Sequence, residues 1–167
     1  MTTMSATNRG AKRQPRDFYP TPEHAFKPLL ERDALLFNTL YYEPAQGDGR
    51  LVRWLNEFGR WCEGSDLATG TDFLTVTARK EFIITNPPFS LAQEFVTHAL
   101  ALSDNVMMLL PLGFLGAQKR RDWFVANEPS ALFVLSKRPS FTGNGKTDAA
   151  DYAWFYWGQQ YRGIKHL

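Results

Sequence analysis

One apolar run, which ends in an amide, two prolines and an aromatic ring, constrains the fold of this chain more than any other feature. Residues 82–85 read Phe-Ile-Ile-Thr, and four β-prone residues in a row are typical of a strand buried on both faces. The following Pro87 and Pro88 lack backbone donors and cannot continue a central ladder, so the strand is predicted to end at Asn86. Because the residue before a proline favours extended backbone, Asn86 should present its side chain at the carboxyl end of the strand, where open α/β sheets bind ligands.

The polar atoms after this strand suit a planar amino group. The Asn86 side-chain oxygen and the Pro87 carbonyl are two acceptors that can hold both hydrogens of an exocyclic amine. Such an amine is a poor nucleophile because its lone pair is delocalised, and two fixed acceptors favour the positive charge that grows on nitrogen as it attacks. Phe89 would then supply a face on which a flipped-out base stacks. The alternative is a structural one, in which the two prolines only make the start of a loop rigid.

The size and composition of the chain favour a single intracellular domain. Its 167 residues suit one core, and no second domain is expected. Cys62 is the only cysteine, which excludes an internal disulfide and a cysteine-based zinc cluster. The histidines are scattered, without carboxylates at metal-ligand spacing, so no metal is expected. The longest apolar run, at 106–112, is too short to span a bilayer, and a soluble, cytoplasmic protein is expected.

Two segments at the amino terminus differ in composition. Residues 1–16 carry basic side chains and no acid, which predicts a disordered arm that either contacts phosphates or only keeps the chain in solution. The basic residues are Arg9, Lys12, Arg13 and Arg16. Beyond them, Thr21 is predicted to cap a helix that starts at Pro22. This helix should run to about Arg32, and Pro28 should kink or break it.

A short strand, a glycine turn and an amphipathic helix follow at residues 40–58. This pattern predicts the first βα unit of a nucleotide-binding sheet, in which glycine lets the backbone approach the ligand. Gly47 and Gly49 lack the third glycine of the dinucleotide fingerprint, and the nearby Glu43 and Asp48 would repel a pyrophosphate. Acids beside a glycine turn suit a cationic ligand instead, such as the ammonium and sulfonium groups of S-adenosylmethionine. The alternative is an ordinary tight turn.

Acids recur at the end of the second predicted strand, residues 60–66. An acid at the tip of this strand can accept hydrogen bonds from ribose hydroxyls, which makes Asp66 the first candidate and Glu63 the reserve. Asp72 and Phe73 lie just beyond, where the pair can bond an adenine amino group and cover its ring. A turn-rich surface loop is the alternative for both Asp66 and Asp72. The linker between the two aspartates is too short for a usual crossover helix, so shortened strands or a loop are expected there.

The rest of the chain alternates between helical and strand patterns. Helices are predicted at 90–103 and 114–127, and strands at 105–111, 132–136 and 152–157. The second helix carries Lys119, Arg120 and Arg121, which either form a solvated face or contact phosphates. Residues 137–148 form a basic loop, in which Arg138 is a further candidate for contact with a substrate.

Taken in order, these stretches resemble the motif set of S-adenosylmethionine-dependent amino-methyltransferases, and most of all small phage-type DNA N6-adenine methyltransferases. The motifs are Tyr19-Pro20-Thr21-Pro22, Glu43-Pro44-Ala45-Gln46-Gly47-Asp48-Gly49, Asp72-Phe73 and Asn86-Pro87-Pro88-Phe89, and the resemblance spans residues 17–112. In that family the first two motifs flank the methionine part of the cofactor, later acids hold its ribose and adenine, and the last motif holds the target amine. The cofactor-binding residues so implied are Tyr19, Thr21, Pro22, Glu43, Pro44, Ala45, Gly47, Asp48, Gly49, Asp66, Asp72 and Phe73. The implied catalytic residues are Asn86, Pro87, Pro88 and Phe89.

Two further features bear on this resemblance. Phe141 resembles the aromatic residue of the family's last motif, which helps to line the target-base pocket; a hydrophobic plug under a loop is the alternative. Larger members of the family carry a sizeable target-recognition insert, and no segment of this chain is long enough to be one.

The expected fold is therefore a single Rossmann-like methyltransferase domain at 17–167, a mostly parallel sheet with helices on both faces and an antiparallel last strand. The expected activity is methyl transfer from S-adenosylmethionine to the N6 amine of adenine in DNA, with relaxed sequence specificity, in a bacterial or phage-infected cell. The same pocket would accept the N4 amine of cytosine, an adenine in RNA or a protein glutamine. An idle domain that only binds nucleic acid is a rival of another class.

Overall fold

The computed structural model describes residues 19–32, 35, 38–141 and 146–167. The predicted basic arm at 1–16 and residues 142–145 of the predicted basic loop lie outside the described residues.

Seven strands of the described chain form one sheet in the order β2-β1-β3-β4-β6-β5-β7. They are β1 (Tyr41–Glu43), β2 (Cys62–Gly64), β3 (Phe82–Thr85), β4 (Val106–Pro111), β5 (Ala131–Val134), β6 (Tyr152–Trp157) and β7 (Gly163–His166). All pairs are parallel except those of β6, which runs antiparallel to both β4 and β5. The predicted strand at 82–85 is confirmed with the same bounds, and all of its residues are buried.

Helices cover both faces of the sheet. They are α1 (Glu23–Glu31), α2 (Arg50–Glu57), α3 (Ala92–Leu102) and α4 (Arg121–Ala126). Phe26 of α1 and Leu55 of α2 pack with Ile84 in one core, whereas Phe95 of α3 packs with Ile83 in the other. Because neighbouring strand residues point to opposite faces, β3 contributes to both cores, and this explains why its sequence is apolar throughout.

The connection between β2 and β3 has no crossover α-helix, as the short linker between Asp66 and Asp72 predicts. It contains two 3₁₀ turns, Leu67–Thr69 and Phe73–Thr75, and no α-helix among the described residues. Asp66 caps the first turn and Asp72 caps the second, each by accepting a hydrogen bond from a backbone N–H two residues on.

The predicted helix at 114–127 is wrong over most of its length. A 3₁₀ segment covers Leu112–Gly116 and another covers Gln118–Arg120, so that only α4 is α-helical. Gly113 and Gly116 each disfavour a helix relative to alanine, and Phe114 is instead buried in the core beside α3.

Both ends of the domain also differ from expectation. Helix α1 begins at Glu23 with Pro22 in the capping position, so Thr21 is not its cap, and the helix continues through Pro28. The aromatic strand β6 is antiparallel as predicted, but β7 follows it and runs parallel to β5. All four residues of β7 are exposed, so this edge strand lacks the alternation of polar and apolar residues that would have revealed it.

Candidate functional site

A cavity of about 1090 Å³ opens at the carboxyl ends of β1, β2 and β3. Four segments surround it, namely 19–21 before α1, the glycine turn after β1, the two 3₁₀ turns after β2, and the residues that follow β3. The predicted site residues that line it are Tyr19, Thr21, Glu43, Pro44, Ala45, Gly47, Asp48, Asp66, Asp72, Phe73, Asn86 and Pro88. The residues predicted for the site that are not among its lining are Pro22, Gly49, Pro87, Phe89, Lys119, Arg120, Arg121, Arg138 and Phe141.

Asp66 connects the two loops that follow β1 and β2. Its Oδ2 accepts a hydrogen bond of 2.9 Å from the N–H of Gly47, and its Oδ1 accepts one of 2.8 Å from the N–H of Ala68. Gly47 and Gly49 both adopt the left-handed conformation, with φ of 54° and 74°, which favours glycine at these two points of the turn. The carboxylate therefore fixes the loop geometry, and each oxygen keeps a lone pair for a further donor.

Glu43 ends β1 at the floor of the cavity, with only 2% of its surface exposed. Its Oε1 accepts a hydrogen bond of 2.9 Å from the N–H of Ala45. Burial raises the pKa of Glu43 to about 8, an effect that the nearby Asp66 reinforces and the Ala45 hydrogen bond opposes. The carboxyl is therefore largely protonated at neutral pH, and a cationic ligand would favour its ionised form.

Arg50 was not singled out from the sequence, yet it lines the cavity beside the glycine turn. Its Nε and Nη2 donate to Asp48, with a shortest contact of 2.5 Å, and its Nη1 donates to the carbonyl of Thr21 at 3.1 Å. Partial burial would raise the pKa of Asp48, but the hydrogen bonds and charge of Arg50 outweigh this and lower it. Arg50 thus neutralises Asp48 and ties the turn to the segment before α1.

The pair Asp72-Phe73 lies across the cavity. Oδ1 of Asp72 accepts a hydrogen bond of 3.0 Å from the N–H of Leu74. The ring of Phe73 is buried and packs on Tyr42, Phe95 and His98, while part of it reaches the cavity. The adenine-binding role of this pair stays a prediction.

Leu67 is a second lining residue that was missed. It follows Asp66 directly, and 72% of its surface is exposed although it is apolar. Exposed leucine in a cavity wall offers a surface for an apolar ring. In the sequence, the only feature that could have indicated this role is the position of Leu67 directly after Asp66, the acid predicted to end the second strand.

Asn86 follows β3, and its side-chain amide is held in one orientation. Its Nδ2 donates to the Tyr19 carbonyl at 2.8 Å and to Thr21 Oγ1 at 3.1 Å. Its Oδ1 is buried and has no hydrogen-bond partner among the described residues. The neighbouring Pro87 carbonyl likewise accepts no hydrogen bond from the described part of the chain. Asn86 Oδ1 and the carbonyl of the next residue are therefore two acceptors without a partner among the described residues, and their joint role in holding an amine stays a prediction.

An aromatic cluster lies behind this amide. The Tyr19 ring is stacked on Phe89, with centroids 5.0 Å apart and planes inclined by 19°. Phe141 is 5% exposed and meets both rings edge-on, as well as the ring of Tyr152 at 5.1 Å. The roles of Phe89 and Phe141 in holding a base stay predictions, and in this arrangement Tyr19 covers one face of Phe89.

The basic residues predicted to touch a substrate have different surroundings. Arg120 is partly buried, with its guanidinium 4.4 Å from the centre of the Phe114 ring. Arg121 pairs with Asp122, and Arg138 pairs with Asp151 at 2.7 Å. Lys119 is exposed and makes no ion pair with the described residues.

Two further structural properties concern ligands and membranes. Among the residues that the structure describes, no three His, Cys, Asp or Glu side chains come together as a metal site. No helix in the described ranges has the length and apolar character needed to cross a membrane.

Known structures share this fold, although no protein-family model and no curated protein matches the sequence. A modification subunit of a presumed type I restriction enzyme from Vibrio vulnificus aligns with a TM-score of 0.65 and 13% identity, over 90% of this chain and 47% of that chain. A presumed RNA methyltransferase from Pyrococcus horikoshii aligns with a TM-score of 0.58 and 15% identity, over 84% of this chain and 86% of that chain. A presumed class I S-adenosylmethionine-dependent methyltransferase from Listeria monocytogenes aligns with a TM-score of 0.55 and 10% identity, over 88% of this chain and 65% of that chain.

These likenesses establish the fold. The chain has the Rossmann-like fold of class I methyltransferases, and the predicted fold class is confirmed. It spans about half the length of the Vibrio modification subunit, 47% of that chain. Because a fold hosts many reactions, the activity has to be argued from the site itself.

Proposed function

We propose that this chain transfers a methyl group from S-adenosylmethionine to the N6 amine of adenine in DNA. One observation carries the proposal: Asn86 lines the cavity, and its buried Oδ1 has no partner among the described residues. Buried polar atoms in folded proteins are nearly always paired, so an acceptor left over in a ligand-sized cavity indicates a donor on the ligand. A planar amino group is the donor that also suits the Pro87 carbonyl beside it.

The reaction would depend on these two acceptors. S-adenosylmethionine supplies an electrophilic methyl group on a sulfonium centre. Asn86 Oδ1 and the Pro87 carbonyl would hold the two amine hydrogens and direct the nitrogen toward that methyl group. They would also stabilise the positive charge that develops on nitrogen during attack, so that positioning and electrostatics replace a strong general base. Proton loss can follow methylation.

The other lining residues fit the proposed cofactor. Asp48 is already neutralised by Arg50, so Glu43 and Asp66 are the acids available to a sulfonium, an ammonium or a ribose. Leu67 and Phe73 add apolar surface on the side of the cavity beyond Asp66. The cavity therefore has acids near the glycine turn and apolar surface farther on. This order matches the cofactor, whose methionine part is charged and whose adenine is an apolar ring.

DNA is the proposed substrate for two reasons. The ordered motifs resemble those of DNA N6-adenine methyltransferases, and the fold is shared with a modification subunit of a presumed restriction enzyme. The fold is also shared with a presumed RNA methyltransferase, so RNA has to be one arm of any test.

Transfer of a labelled methyl group tests the proposal. The purified chain is incubated with S-adenosylmethionine labelled in its methyl group and, separately, with unmethylated plasmid DNA, RNA and protein. Each product is digested to nucleosides or amino acids. We expect label in N6-methyldeoxyadenosine from the DNA reaction.

The same experiment identifies the alternatives. Label in RNA, in N4-methylcytosine or in methylglutamine would move the activity to that substrate. Cofactor binding without label in any pool would indicate an idle domain. Asn86→Ala serves as the matched control, because it removes the orphan acceptor and leaves the acids of the cavity in place.

A further inference from the structure

We propose that Thr21 is a positioning residue that, together with the Tyr19 carbonyl, sets the orientation of the Asn86 amide. This inference rests on the proposed role of Asn86 as the acceptor for the target amine. It gives the segment before α1 a part in the methyl-transfer step, beyond the cofactor contacts that its resemblance to a known motif implies.

The orientation of the amide follows from its partners. A backbone carbonyl can only accept a hydrogen bond, so the Asn86 atom 2.8 Å from the Tyr19 carbonyl must be the nitrogen. The second hydrogen of that nitrogen is taken by Thr21 Oγ1 at 3.1 Å. A flipped amide would bring two oxygens together and is disfavoured. The oxygen is therefore the atom left for a ligand.

Thr21 is itself held firmly. It is 3% exposed, and its backbone carbonyl accepts a hydrogen bond from Arg50 Nη1 at 3.1 Å. Arg50 is in turn fixed by Asp48 in the glycine turn. A continuous chain of polar contacts thus joins the turn after β1 to the amide after β3. Such a supporting shell keeps a reacting group in its productive geometry.

Two substitutions at one position test this role. Thr21→Val keeps the shape of the side chain and removes the hydroxyl acceptor, whereas Thr21→Ser keeps the hydroxyl. Loss of one hydrogen bond to the amide should lower the single-turnover methylation rate at saturating cofactor by about three- to tenfold. Thr21→Ser should recover most of the rate, and the cofactor dissociation constant of each variant is measured in parallel, so that an effect on cofactor binding is seen separately.

A double variant separates positioning from general damage. Because Thr21 is proposed to act through Asn86, Thr21→Val should cause no further loss of rate in an Asn86→Ala background. Full additivity in this cycle would overturn the proposal. It would also be overturned if Thr21→Val raised the cofactor dissociation constant and left the saturated rate unchanged, since Thr21 would then act only on the cofactor.

A spectroscopic readout makes the test independent of activity. In protein with ¹⁵N-labelled asparagine, the Asn86 side-chain NH₂ signals are assigned by their loss in Asn86→Ala. Removal of the Thr21 acceptor should move one of the two proton signals upfield and speed its exchange with water, and Thr21→Ser should not. Unchanged signals in Thr21→Val would overturn the positioning role. If the valine variant does not fold, Thr21→Ala takes its place.

The two proposals can fail separately. If Asn86→Ala keeps its full activity, the proposed function of Asn86 is wrong, and the NMR result still decides whether Thr21 orients the amide. If Asn86→Ala is inactive and Thr21→Val has wild-type rates and signals, only the positioning role is wrong.

Discussion

The two ends of the Asn86 amide have different surroundings. Its nitrogen is bonded to the segment before α1, and its oxygen is buried without a partner among the described residues. In the absence of a ligand, this oxygen forms no stabilising hydrogen bond with the described residues. Its value is expected to appear in the transition state, when positive charge develops on the amine that it holds.

Asn86→Ala should therefore separate turnover from binding. We expect turnover to fall by about a hundredfold or more, as for the loss of one donor from an oxyanion hole, while the cofactor affinity stays nearly unchanged. Single-turnover kinetics and titration calorimetry measure the two effects. Turnover near that of the wild type would contradict the role of this amide.

Glu43 makes folding stability depend on pH. Burial raises its pKa from an ordinary 4.5 to about 8 in the folded chain. The folded state therefore binds one more proton than the unfolded state between these values. Stability that is fully present below the lower value is lost as the pH rises toward about 8, by up to about 1.4 kcal/mol per pH unit. Glu43→Gln stays neutral and should remove this contribution.

Urea denaturation measures this difference. The free energy of unfolding of both proteins would be determined at about pH 5.5 and at about pH 7.5. The wild type should lose more stability between the two than Glu43→Gln does. Equal losses would show that Glu43 is ionised across this range in spite of its burial.

We expect Glu43 to couple cofactor binding to the release of protons. A cation beside this carboxyl favours its ionised form, so binding below about pH 8 should release a proton. Titration calorimetry in two buffers with different ionisation enthalpies counts the protons released. Glu43→Gln is the matched control and should release fewer. The same proton count in both proteins would place the cation elsewhere in the cavity.

At the scale of elements, strands were predicted better than the segments between them. The sequence of β3 is apolar because the strand is buried on both faces, and the prolines after it mark its end. A helix was predicted at 114–127, yet Gly116 and the burial of Phe114 favour short 3₁₀ turns over the first half of that segment. The exposed edge strand β7 has no burial pattern that a sequence could display.

For the candidate site, too, the sequence predicts local features but not contacts between distant residues. The carboxyl edge of the sheet and the presented Asn86 follow from local rules about strands and prolines. The hydrogen bonds from Asn86 to Tyr19 and Thr21 join residues more than 60 positions apart, with separations of 67 and 65. Local patterns contain no information about such contacts. The same holds for the bond from Arg50 to the Thr21 carbonyl.

Asp66 fixes two loops at once. Its oxygens accept hydrogen bonds from the glycine turn and from the first 3₁₀ turn. Asp66→Ala should weaken S-adenosylmethionine binding by about 1–3 kcal/mol if ribose hydroxyls lose their acceptor. It should also lower the free energy of unfolding, since two backbone donors lose their partner.

Asp72→Ala is the matched control for this variant. Asp72 also caps a 3₁₀ turn, but among the described residues its carboxylate accepts only the local backbone bond from Leu74. Its removal should therefore cost less stability than that of Asp66. Titration calorimetry compares the cofactor affinities of the two variants, and urea denaturation compares their free energies of unfolding. Unchanged cofactor affinity in Asp66→Ala would move the ribose role to Glu63 or elsewhere.

At the scale of the whole molecule, few of the described side chains that were predicted to contact a substrate are available for reading a base sequence. Arg120 packs on a phenylalanine ring, and Arg138 is held by Asp151. In the part of the chain that the structure describes, Lys119 is the one predicted contact residue without an ion pair or ring contact. Sequence readout needs one or two well-placed side chains for each base pair, so these segments can read only a short context.

We therefore expect relaxed sequence specificity. Methylation should occur at adenines within a context of no more than about two or three bases, each contributing about 1–3 kcal/mol. Mapping N6-methyladenine across a plasmid after reaction with the purified chain measures this directly. Lys119→Ala should lower methylation at all sites alike, because a phosphate contact carries no sequence information. Confinement of the label to a single motif of about five or more base pairs would contradict the prediction, since a second copy or a partner would then have to supply the missing contacts to the bases.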